Sequence, residues 1–363
     1  MSEIRIAVAG IMLASVFAHA IDTDPYGFIR FNGVWSYGAE GSASPNGILY
    51  APPIYGITSS HYISSSLKRA NHFDFGASQS TVGINLSDSI SEGLLVLTGK
   101  LEGDFTSGFS MNYGFINFSF PNIGLGILLG QTDALFVPYN PPTINYRNLV
   151  GMGNLDTQQP QIRLMQKISS IEVAVAVRND YYRSYPAIEG KISTTGPIKI
   201  GASAFWLLEE EEGVSTISAY LEENIQSSWG FAADIFADIG VVNVSGEFFT
   251  GQNLITYSPL HNVDYIYNKI DKRKSIGGWG ALGIKATDNL SFNAGAGSEY
   301  ITNKYYGLDG IWLNWAIFAN INYKLTPNAS IALEYFRHNT EYMDEDYDSG
   351  SYNRIETAIT YGF

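Results

Sequence analysis

The amino-acid sequence predicts an all-β protein: a transmembrane antiparallel β-barrel of about sixteen strands, with long outer loops and short periplasmic turns. Segments in which apolar and polar side chains alternate recur along most of the chain, as in 351–363, and no amphipathic helix is left to cover their apolar faces. Charged residues make up only 15% of the chain, while 37 Gly, 24 Tyr and 20 Phe are present. Low charge with many aromatic rings is typical of a wall that faces hydrocarbon.

The N-terminal segment has the three parts of a signal peptide. Arg5 supplies a small positive region, residues 6–17 form an apolar run shorter than the roughly 20 residues of a membrane-spanning helix, and Ala18-His19-Ala20 is a small-x-small cleavage site. We therefore predict a signal peptide at 1–20 and a single barrel domain at 21–363. The alternative is a buried first strand or helix.

The strands follow in order, each identified by its two-residue alternation and by the turn residues beside it. The first carries Ile29 and Phe31 on one face and Arg30 on the other, and Pro121-Asn122 marks a tight turn between the fourth and the fifth. The predicted strands are 26–37, 73–87, 94–105, 112–120, 123–132, 159–167, 171–180, 187–194, 198–208, 229–237, 241–251, 276–286, 290–301, 311–324, 329–338 and 352–363.

The connections between these strands alternate in length, as expected for a barrel whose N-terminus lies in the periplasm. The long ones are 38–72, 133–157, 253–275, 302–310 and 339–351, and the short ones are 88–93, 121–122, 168–170, 195–197, 238–240, 287–289 and 325–328. The segment 209–228 is ambiguous, because Val214 to Leu221 has the pattern of a strand. An extra strand there would put the C-terminus on the wrong side, so we interpret it as an excursion or short hairpin of the fifth outer loop.

A barrel of this strand number encloses an aqueous lumen, which must be narrowed if it is to select solutes. Loop 133–157 is predicted to fold inward and form the constriction, since it is long and stiffened by proline at 138, 141 and 142. Its backbone would then be satisfied by water or by polar side chains. The candidates are Asn140, Asn145, Arg147, Asn148, Asn154 and Gln158. The alternative is a loop that projects into solvent.

The face of each strand opposite its apolar side chains must line the lumen. The predicted pore-lining and constriction residues are Arg30, Lys100, Glu102, Asp104, Arg147, Arg163, Glu172 and Arg178. By the same rule Glu189, Lys191, Glu247, Glu334, Arg354 and Glu356 point inward. Opposed cationic and acidic side chains across a narrow gap set up a transverse field that favours charged solutes. Alternatively, some of these ions only pair with each other and brace the wall.

Several classes of site are disfavoured. The chain has no Cys, so it can form neither a disulfide nor a Cys-ligated metal site, and we predict no cofactor or metal. None of the 5 His is placed with an inward Ser and carboxylate, and there is no G-x-S-x-G motif, so we predict no enzymatic activity. The net charge of −14 argues against a nucleic-acid partner. The acidic runs at 209–212 and 344–348 are interpreted as solvated loop ends; the alternative is a weak Ca²⁺ site that bridges the loops to lipopolysaccharide.

Five short stretches resemble, in the same order, segments of the DcaP-like trimeric outer-membrane porins of Gram-negative bacteria. They are Gly99-Lys100-Leu101-Glu102-Gly103-Asp104-Phe105, Leu129-Gly130-Gln131-Thr132, Gln159-Pro160-Gln161-Ile162-Arg163, Val173-Ala174-Val175-Ala176-Val177 and Trp229-Gly230-Phe231. The resemblance implies a homotrimer of sixteen-stranded barrels with one pore each, and a preference for small dicarboxylates and related anions. Gln158 stands where the family usually has Arg, and Arg178 where Glu is usual, which changes the lumen charges. The terminal Phe363 resembles the last residue of bacterial outer-membrane barrels, which implies recognition by the barrel-assembly machinery.

We therefore predict an outer-membrane porin that lets small hydrophilic solutes and ions diffuse passively, in contact with outer-membrane lipid and lipopolysaccharide. A preference for small carboxylates or other anions is expected, because the inward cations at 30, 100, 147, 163 and 178 outnumber the inward acids at 102, 104 and 172. The outward glycines at 27, 33, 99 and 103 would let neighbouring barrels of a trimer approach. The alternative is a surface structural or adhesion barrel that acts through its outer loops, especially 38–72.

Overall fold

The computed structural model is one closed antiparallel sheet. It describes residues 21–37, 71–90, 93–106, 108–136, 139–145, 148–180, 185–210, 225–254, 256–261, 273–303, 311–342 and 350–363. The strands are β1 (Asp22–Tyr37), β2 (Asn71–Gly76), β3 (Thr81–Ile90), β4 (Leu95–Asp104), β5 (Ser110–Phe120), β6 (Leu125–Asp133), β7 (Gln158–Ile168), β8 (Ile171–Arg178), β9 (Ala187–Thr194), β10 (Ile198–Glu210), β11 (Ile225–Ile239), β12 (Val242–Gln252), β13 (Lys274–Lys285), β14 (Leu290–Ile301), β15 (Ile311–Thr326), β16 (Ala329–Tyr342) and β17 (Gly350–Gly362). From β3 onward each strand pairs with the next along the chain, and β1 pairs with β17 to close the barrel.

The second position in the wall is shared by two short strands. The upper part of β1 pairs with β2, in the register Asn32↔Gly76, and its lower part pairs with β3, in the register Phe28↔Thr81. At the break, the Ser80 hydroxyl donates to the Ala77 carbonyl (2.6 Å) and accepts the backbone N–H of Arg30 (3.0 Å). The wall therefore has sixteen positions, and the predicted strand number is confirmed.

Each of the sixteen predicted strands overlaps an observed strand or, at the second position, the β2–β3 pair. Local turn chemistry explains this agreement. The turn after β5 is a short 3₁₀ helix, Pro121–Ile123, that ends at Gly124 with φ 67°. A Cβ atom on Gly124 would lie 2.3 Å from the Lys167 carbonyl oxygen, so only glycine fits there. The segment from Val214 to Leu221 lies outside the described residues. No helix in the described part of the chain is long and apolar enough to cross a membrane.

The two faces of the wall differ as the alternation predicts. Ile29, Leu101 and Ile162 are 59%, 52% and 62% exposed on the outside, whereas Arg178 and Glu334 on the inside are fully buried. A closed sheet with an exposed apolar exterior leaves no unpaired edge and presents its hydrophobic surface to lipid. This is the fold of a transmembrane β-barrel.

Two outward glycines are covered by the protein's own aromatic rings. A Cβ atom on Gly27 would lie 2.8 Å from Cζ of Phe363, and one on Gly103 would lie 2.6 Å from Cζ of Phe109. These positions therefore leave no free hollow for a neighbouring barrel. Phe363 also exchanges two backbone hydrogen bonds with Gly27 (3.0 and 3.1 Å), so the C-terminal residue seals the join between the first and last strands.

Candidate pore constriction

The loop between β6 and β7 spans residues 134–157, and its described residues (134–136, 139–145 and 148–157) lie inside the barrel against the inner wall. Three inward glutamates each accept a backbone N–H from this loop, and we call them the anchor carboxylates. The pairs are Leu135 with Glu189 of β9 (2.6 Å), Tyr139 with Glu247 of β12 (2.7 Å) and Ile144 with Glu334 of β16 (2.9 Å). Glu189 is also paired with Arg178 at 2.7 Å, and a hydrogen bond to a charged carboxylate is stronger than one between neutral groups. The anchor carboxylates satisfy loop donors that would otherwise be buried without a partner.

The loop carbonyls are bound by inward donors of other strands. Arg30 of β1 donates from Nη1 to the Ile144 carbonyl (2.9 Å), and Asn320 of β15 donates from Nδ2 to the Pro142 carbonyl (2.7 Å). The wall therefore binds both backbone groups of Ile144, because Arg30 donates to its carbonyl and Glu334 accepts its N–H. Sequence analysis predicted that polar side chains of the loop would help to satisfy its backbone; Asn148 instead donates from Nδ2 to the carboxylate of Glu334 (2.7 Å).

The loop backbone touches the wall directly at two glycines. Gly153 of the loop has φ 103°, and a Cβ atom on it would lie 2.1 Å from the Gly278 carbonyl oxygen of β13. On the wall, a Cβ atom on Gly297 of β14 would lie 2.3 Å from the Met152 carbonyl oxygen. Only glycine allows this close approach.

Apolar packing accompanies these polar contacts. Leu149 and Met152 of the loop are buried with inward wall side chains, namely Trp279, Ala281, Ala316, Phe318 and Phe336. Burying a leucine or methionine side chain contributes about 1.5–3 kcal/mol. The loop is therefore fixed by a small hydrophobic core inside the barrel as well as by the anchor carboxylates.

A second loop segment packs against loop 134–157, and sequence analysis did not predict this contact. Residues 253–261, which follow β12, turn inward and bury Leu254, Tyr257 and Leu260. The Tyr257 ring packs against Phe136 of loop 134–157 at 5.1 Å between ring centroids, and its hydroxyl donates to Glu189 (2.6 Å). Burial raises the pKa of Tyr257 well above its usual value, so the hydroxyl remains a neutral donor.

Arg178, a predicted pore-lining residue, belongs to this supporting cluster. It is fully buried, and its Nε donates to Glu189 (2.7 Å) while Nη2 lies 3.8 Å from Asp180 and 3.1 Å from the Tyr257 hydroxyl. The guanidinium presents no surface to the lumen. Its position matches the alternative interpretation of the inward charges, in which they pair with each other and brace the structure.

A cavity lies between loop 134–157 and the part of the wall that the anchor carboxylates do not contribute to. It has a volume of about 300 Å³ and is bounded by β1, β4 and β5 on one side and by the loop on the other. The lining residues are Phe28, Arg30, Gln79, Thr81, Glu102, Asp104, Thr106, Asn112, Tyr113, Asn140, Thr143, Ile144, Asn145 and Gln158. Three of the predicted site residues, at 30, 102 and 104, therefore line one cavity.

Lys100 lies beside this cavity, next to aromatic and acidic side chains. Its ammonium group is 2.9 Å from Glu102 and lies over the Tyr113 ring at 4.1 Å, and Tyr26 donates its hydroxyl hydrogen to Glu102. Asp104 differs, because it accepts hydrogen bonds from the Asn112 side chain and the Thr106 backbone, both at 3.0 Å. Among the described residues, Lys100 and Glu102 thus form an ion pair, whereas Asp104 is bonded only to neutral donors.

The remaining predicted residues lie near the base of the loop or outside the described part of the chain. Arg163 of β7 donates to the Asp133 carbonyl and to Oε1 of Gln161 (2.9 Å). Glu172 of β8 is inward and half-buried. Arg147 lies outside the described residues.

Tyr139 of the loop packs against the inner wall next to charged side chains. Tyr139 stacks on Phe236 of β11 at 5.8 Å between ring centroids, and Lys191, paired with Asp234 at 2.6 Å, lies 5.2 Å from the Tyr139 ring centre. Burial, followed by the nearby Asp234 and Glu247, raises the pKa of Tyr139 to about 12, so its hydroxyl is neutral in ordinary conditions.

No protein-family model matches the chain, and no curated protein sequence does. Solved structures match over nearly the whole length. The outer-membrane channel DcaP of Acinetobacter baumannii has a TM-score of 0.72 at 16% identity, over 94% of this chain and 97% of that one. The outer-membrane protein OmpT of Vibrio cholerae scores 0.62 at 12% identity (95% and 98% covered), and OmpF of Salmonella typhi, solved with daunomycin, scores 0.60 at 11% identity (94% and 97% covered).

These similarities define the class of structure. The chain has the fold of the outer-membrane porins and channels of Gram-negative bacteria. Within that class, the predicted resemblance to DcaP-like porins is confirmed at the level of the fold. Identities this low carry the architecture alone.

Proposed function

We propose that this protein is an outer-membrane porin of a Gram-negative bacterium, through which small hydrophilic solutes diffuse passively. One observation carries the proposal: loop 134–157 is bound across the lumen by the anchor carboxylates, and a cavity of about 300 Å³ stays open beside it. A narrowed water-filled passage in a closed barrel is the arrangement a diffusion pore requires. In this proposal, residues 1–20 are a signal peptide that is removed and 133–157 is the constriction loop.

The finer proposal is a mild preference for small anions such as carboxylates. Arg30 and Arg163 donate to backbone carbonyls, and neither lies within 4 Å of a carboxylate among the described residues, so their charges stay uncompensated by direct pairing. Lys100 is paired with Glu102, and Asp104 is an acid without a cationic partner in that set. Asp133 and Glu172 lie near Arg163 and offset part of its charge, so the anion preference rests on Arg30 and Arg163 and is expected to be mild; local charges of this kind dominate within a screening length of about 8 Å.

We also propose a homotrimer that contacts outer-membrane lipid and lipopolysaccharide and is assembled through its C-terminal residue. Vibrio cholerae OmpT, whose trimer form has a TM-score of 0.61 to this chain, supports the trimer. The exposed apolar exterior supports the lipid contact. The exposed position of Phe363, where β1 joins β17, supports its proposed role in assembly.

Planar-bilayer recording tests these proposals. Purified protein should give stepwise conductance, and the reversal potential in a KCl gradient should show weak anion preference. Changing both Lys100 and Arg163 to Gln should shift the reversal potential towards cations. Lys285→Gln, which removes a cation paired with Asp238 at the far end of β13, is the matched control and should change it little. A strongly cation-selective wild type would contradict the anion preference, and absence of conductance would contradict the porin and favour a surface barrel that acts through its loops.

A further inference from the structure

The cavity beside the constriction loop is lined by ring faces and neutral hydrogen-bonding groups to an extent that ion permeation does not require. Phe28 and Tyr113 supply the aromatic surface. The neutral polar lining consists of the amides Gln79, Asn112, Asn140, Asn145 and Gln158 and the hydroxyls of Thr81, Thr106 and Thr143. The wall and the loop both contribute, so a solute in the cavity meets such groups on opposite sides.

The charges at the cavity cancel one another. Arg30 and Asp104 line it with opposite signs, and Glu102 is neutralised by Lys100 at 2.9 Å. The lining therefore carries no large excess of either charge, so its neutral groups have a large part in deciding which solutes bind there. Arg163, which contributes to the ion preference proposed above, is not part of this lining.

A neutral hydroxylated solute suits the same lining. Amide side chains offer both donors and acceptors, as hydroxyl groups do, and the two kinds of group can bond without any change in charge. The described hydrogen bond and ion pair of Glu102 both use Oε2, and among the described residues Oε1 makes no hydrogen bond, so an acceptor remains for a hydroxyl. Aromatic ring faces are electron-rich and attract the weakly positive C–H groups on the face of a saturated ring.

We propose that this cavity is a binding subsite for neutral polyhydroxylated ring solutes, that is, small saccharides. The inference rests on the proposed porin function and names a solute class for it. Arg30 lies over one face of the Phe28 ring, at 4.8 Å from its centre, and the other face is the proposed stacking surface.

The amides of the lining supply the hydrogen bonds. The NH₂ groups of Asn112 and Gln158 donate to Asp104 and Asp133, so their carbonyl oxygens accept from solute hydroxyls, and Asn140 bonds a hydroxyl from the loop. A volume of about 300 Å³ is at the small end of ligand pockets and accommodates one small saccharide at a time.

Current block by maltose in planar bilayers tests the subsite. Maltose should reduce the ion current in a saturable way. A polyethylene glycol of equal hydrodynamic radius should not saturate, because it has ether acceptors but neither hydroxyls along its chain nor a ring face. Phe28→Leu should raise the half-blocking maltose concentration at least about threefold, the fold-change expected for losing an aromatic contact. Asn112→Leu should act in the same direction.

Matched controls lie on β5, where Phe115 and Asn117 also face inward but are outside the cavity lining. Phe115→Leu and Asn117→Leu should leave the half-blocking concentration unchanged. An open pore that is blocked equally by maltose and polyethylene glycol, is blocked only by succinate, or is blocked by maltose equally in wild type and Phe28→Leu would overturn the subsite and leave the porin proposal intact. A protein that inserts as a folded barrel and conducts no ions would overturn the porin proposal and the subsite with it.

Discussion

Replacing Glu189 by alanine is expected to detach the first part of the constriction loop and to weaken the barrel. Glu189 is fully buried and accepts three hydrogen bonds, from Leu135 N–H, Arg178 Nε and the Tyr257 hydroxyl, at 2.6, 2.7 and 2.6 Å. Without it, Arg178 retains only Asp180, at 3.8 Å, as a carboxylate partner among the described residues. Removing one partner of a buried ion pair costs about 3–5 kcal/mol, which should appear in the free energy of unfolding.

The effect on the loop is separable from the effect on the fold. Hydrogen bonds to charged groups contribute about 1.5–3 kcal/mol, so losing the Leu135 bond raises the population of the detached segment by about 10- to 150-fold. Glu189→Gln keeps an acceptor for Leu135 but leaves Arg178 with Asp180, at 3.8 Å, as its only carboxylate partner among the described residues. Both variants should therefore lose stability, and only the alanine variant should release the loop.

Two measurements distinguish these outcomes. The midpoint of the heat-induced mobility shift in detergent gels reports barrel stability, and single-channel recording reports the loop through added current noise and brief conductance changes. Glu172→Ala is the matched control, because Glu172 is an inward glutamate of the adjacent strand β8 with no hydrogen bond to the loop among the described residues. If Glu189→Ala and Glu172→Ala give the same midpoint and the same current noise, the anchoring role assigned to Glu189 is refuted.

Four further predictions follow from other parts of the structure. Leu101→Arg should destabilise the barrel by about 2–4 kcal/mol if it lies near the bilayer midplane, whereas Glu102→Gln should fold and change conductance; equal tolerance at both positions would mean that the faces are wrongly assigned. Gly153→Ala should push the loop away from Gly278 and alter conductance, and an unchanged single-channel current would argue against that backbone contact. The purified protein should be a trimer that resists SDS without heating, and a monomer in analytical ultracentrifugation would contradict this. The pKa of Tyr139 is raised from 10.0 to about 12, so its contribution to the free energy of unfolding should be constant below pH 10 and decrease between pH 10 and 12. Tyr139→Phe should abolish this contribution to the decrease, and identical alkaline unfolding of the wild type and the variant would disprove the prediction.

The strand order could be predicted from sequence because its signals are local. The alternation in 352–363 and the turn residues at 121–122 need only near neighbours, and the observed strands β17 and β5 end within two residues of their predicted bounds. The break between β2 and β3 was missed, since residues 77–80 continue the polar character of the surrounding strand. That break depends on Arg30 in β1, whose backbone N–H bonds the Ser80 hydroxyl, and this contact is 50 residues away in the chain.

The roles of the inward residues were less predictable. Alternation indicated correctly that Glu189 and Glu334 point inward, but their partners Leu135 and Ile144 lie 54 and 190 residues away along the chain. Sequence alone does not say which inward charge meets a loop and which meets water. For the same reason Arg178 was counted among the pore cations, although the structure buries it completely beneath the loop.

The inner wall divides into a side that binds the loop and a side that faces the passage. The anchor carboxylates come from β9, β12 and β16; between them, Gly278 and Gly297 let the loop backbone approach the wall, and Trp279, Phe318 and Phe336 pack with Leu149 and Met152 of the loop. The opposite side, β1, β4 and β5, carries rings and charges that extend into the lumen, among them Tyr26, Tyr113 and Lys100. A loop packed on the first side must leave its gap against the second. In the proposed pore, substitutions of the anchor carboxylates should therefore change how firmly the loop is held, while substitutions of Tyr113 and Lys100 should change which solutes pass.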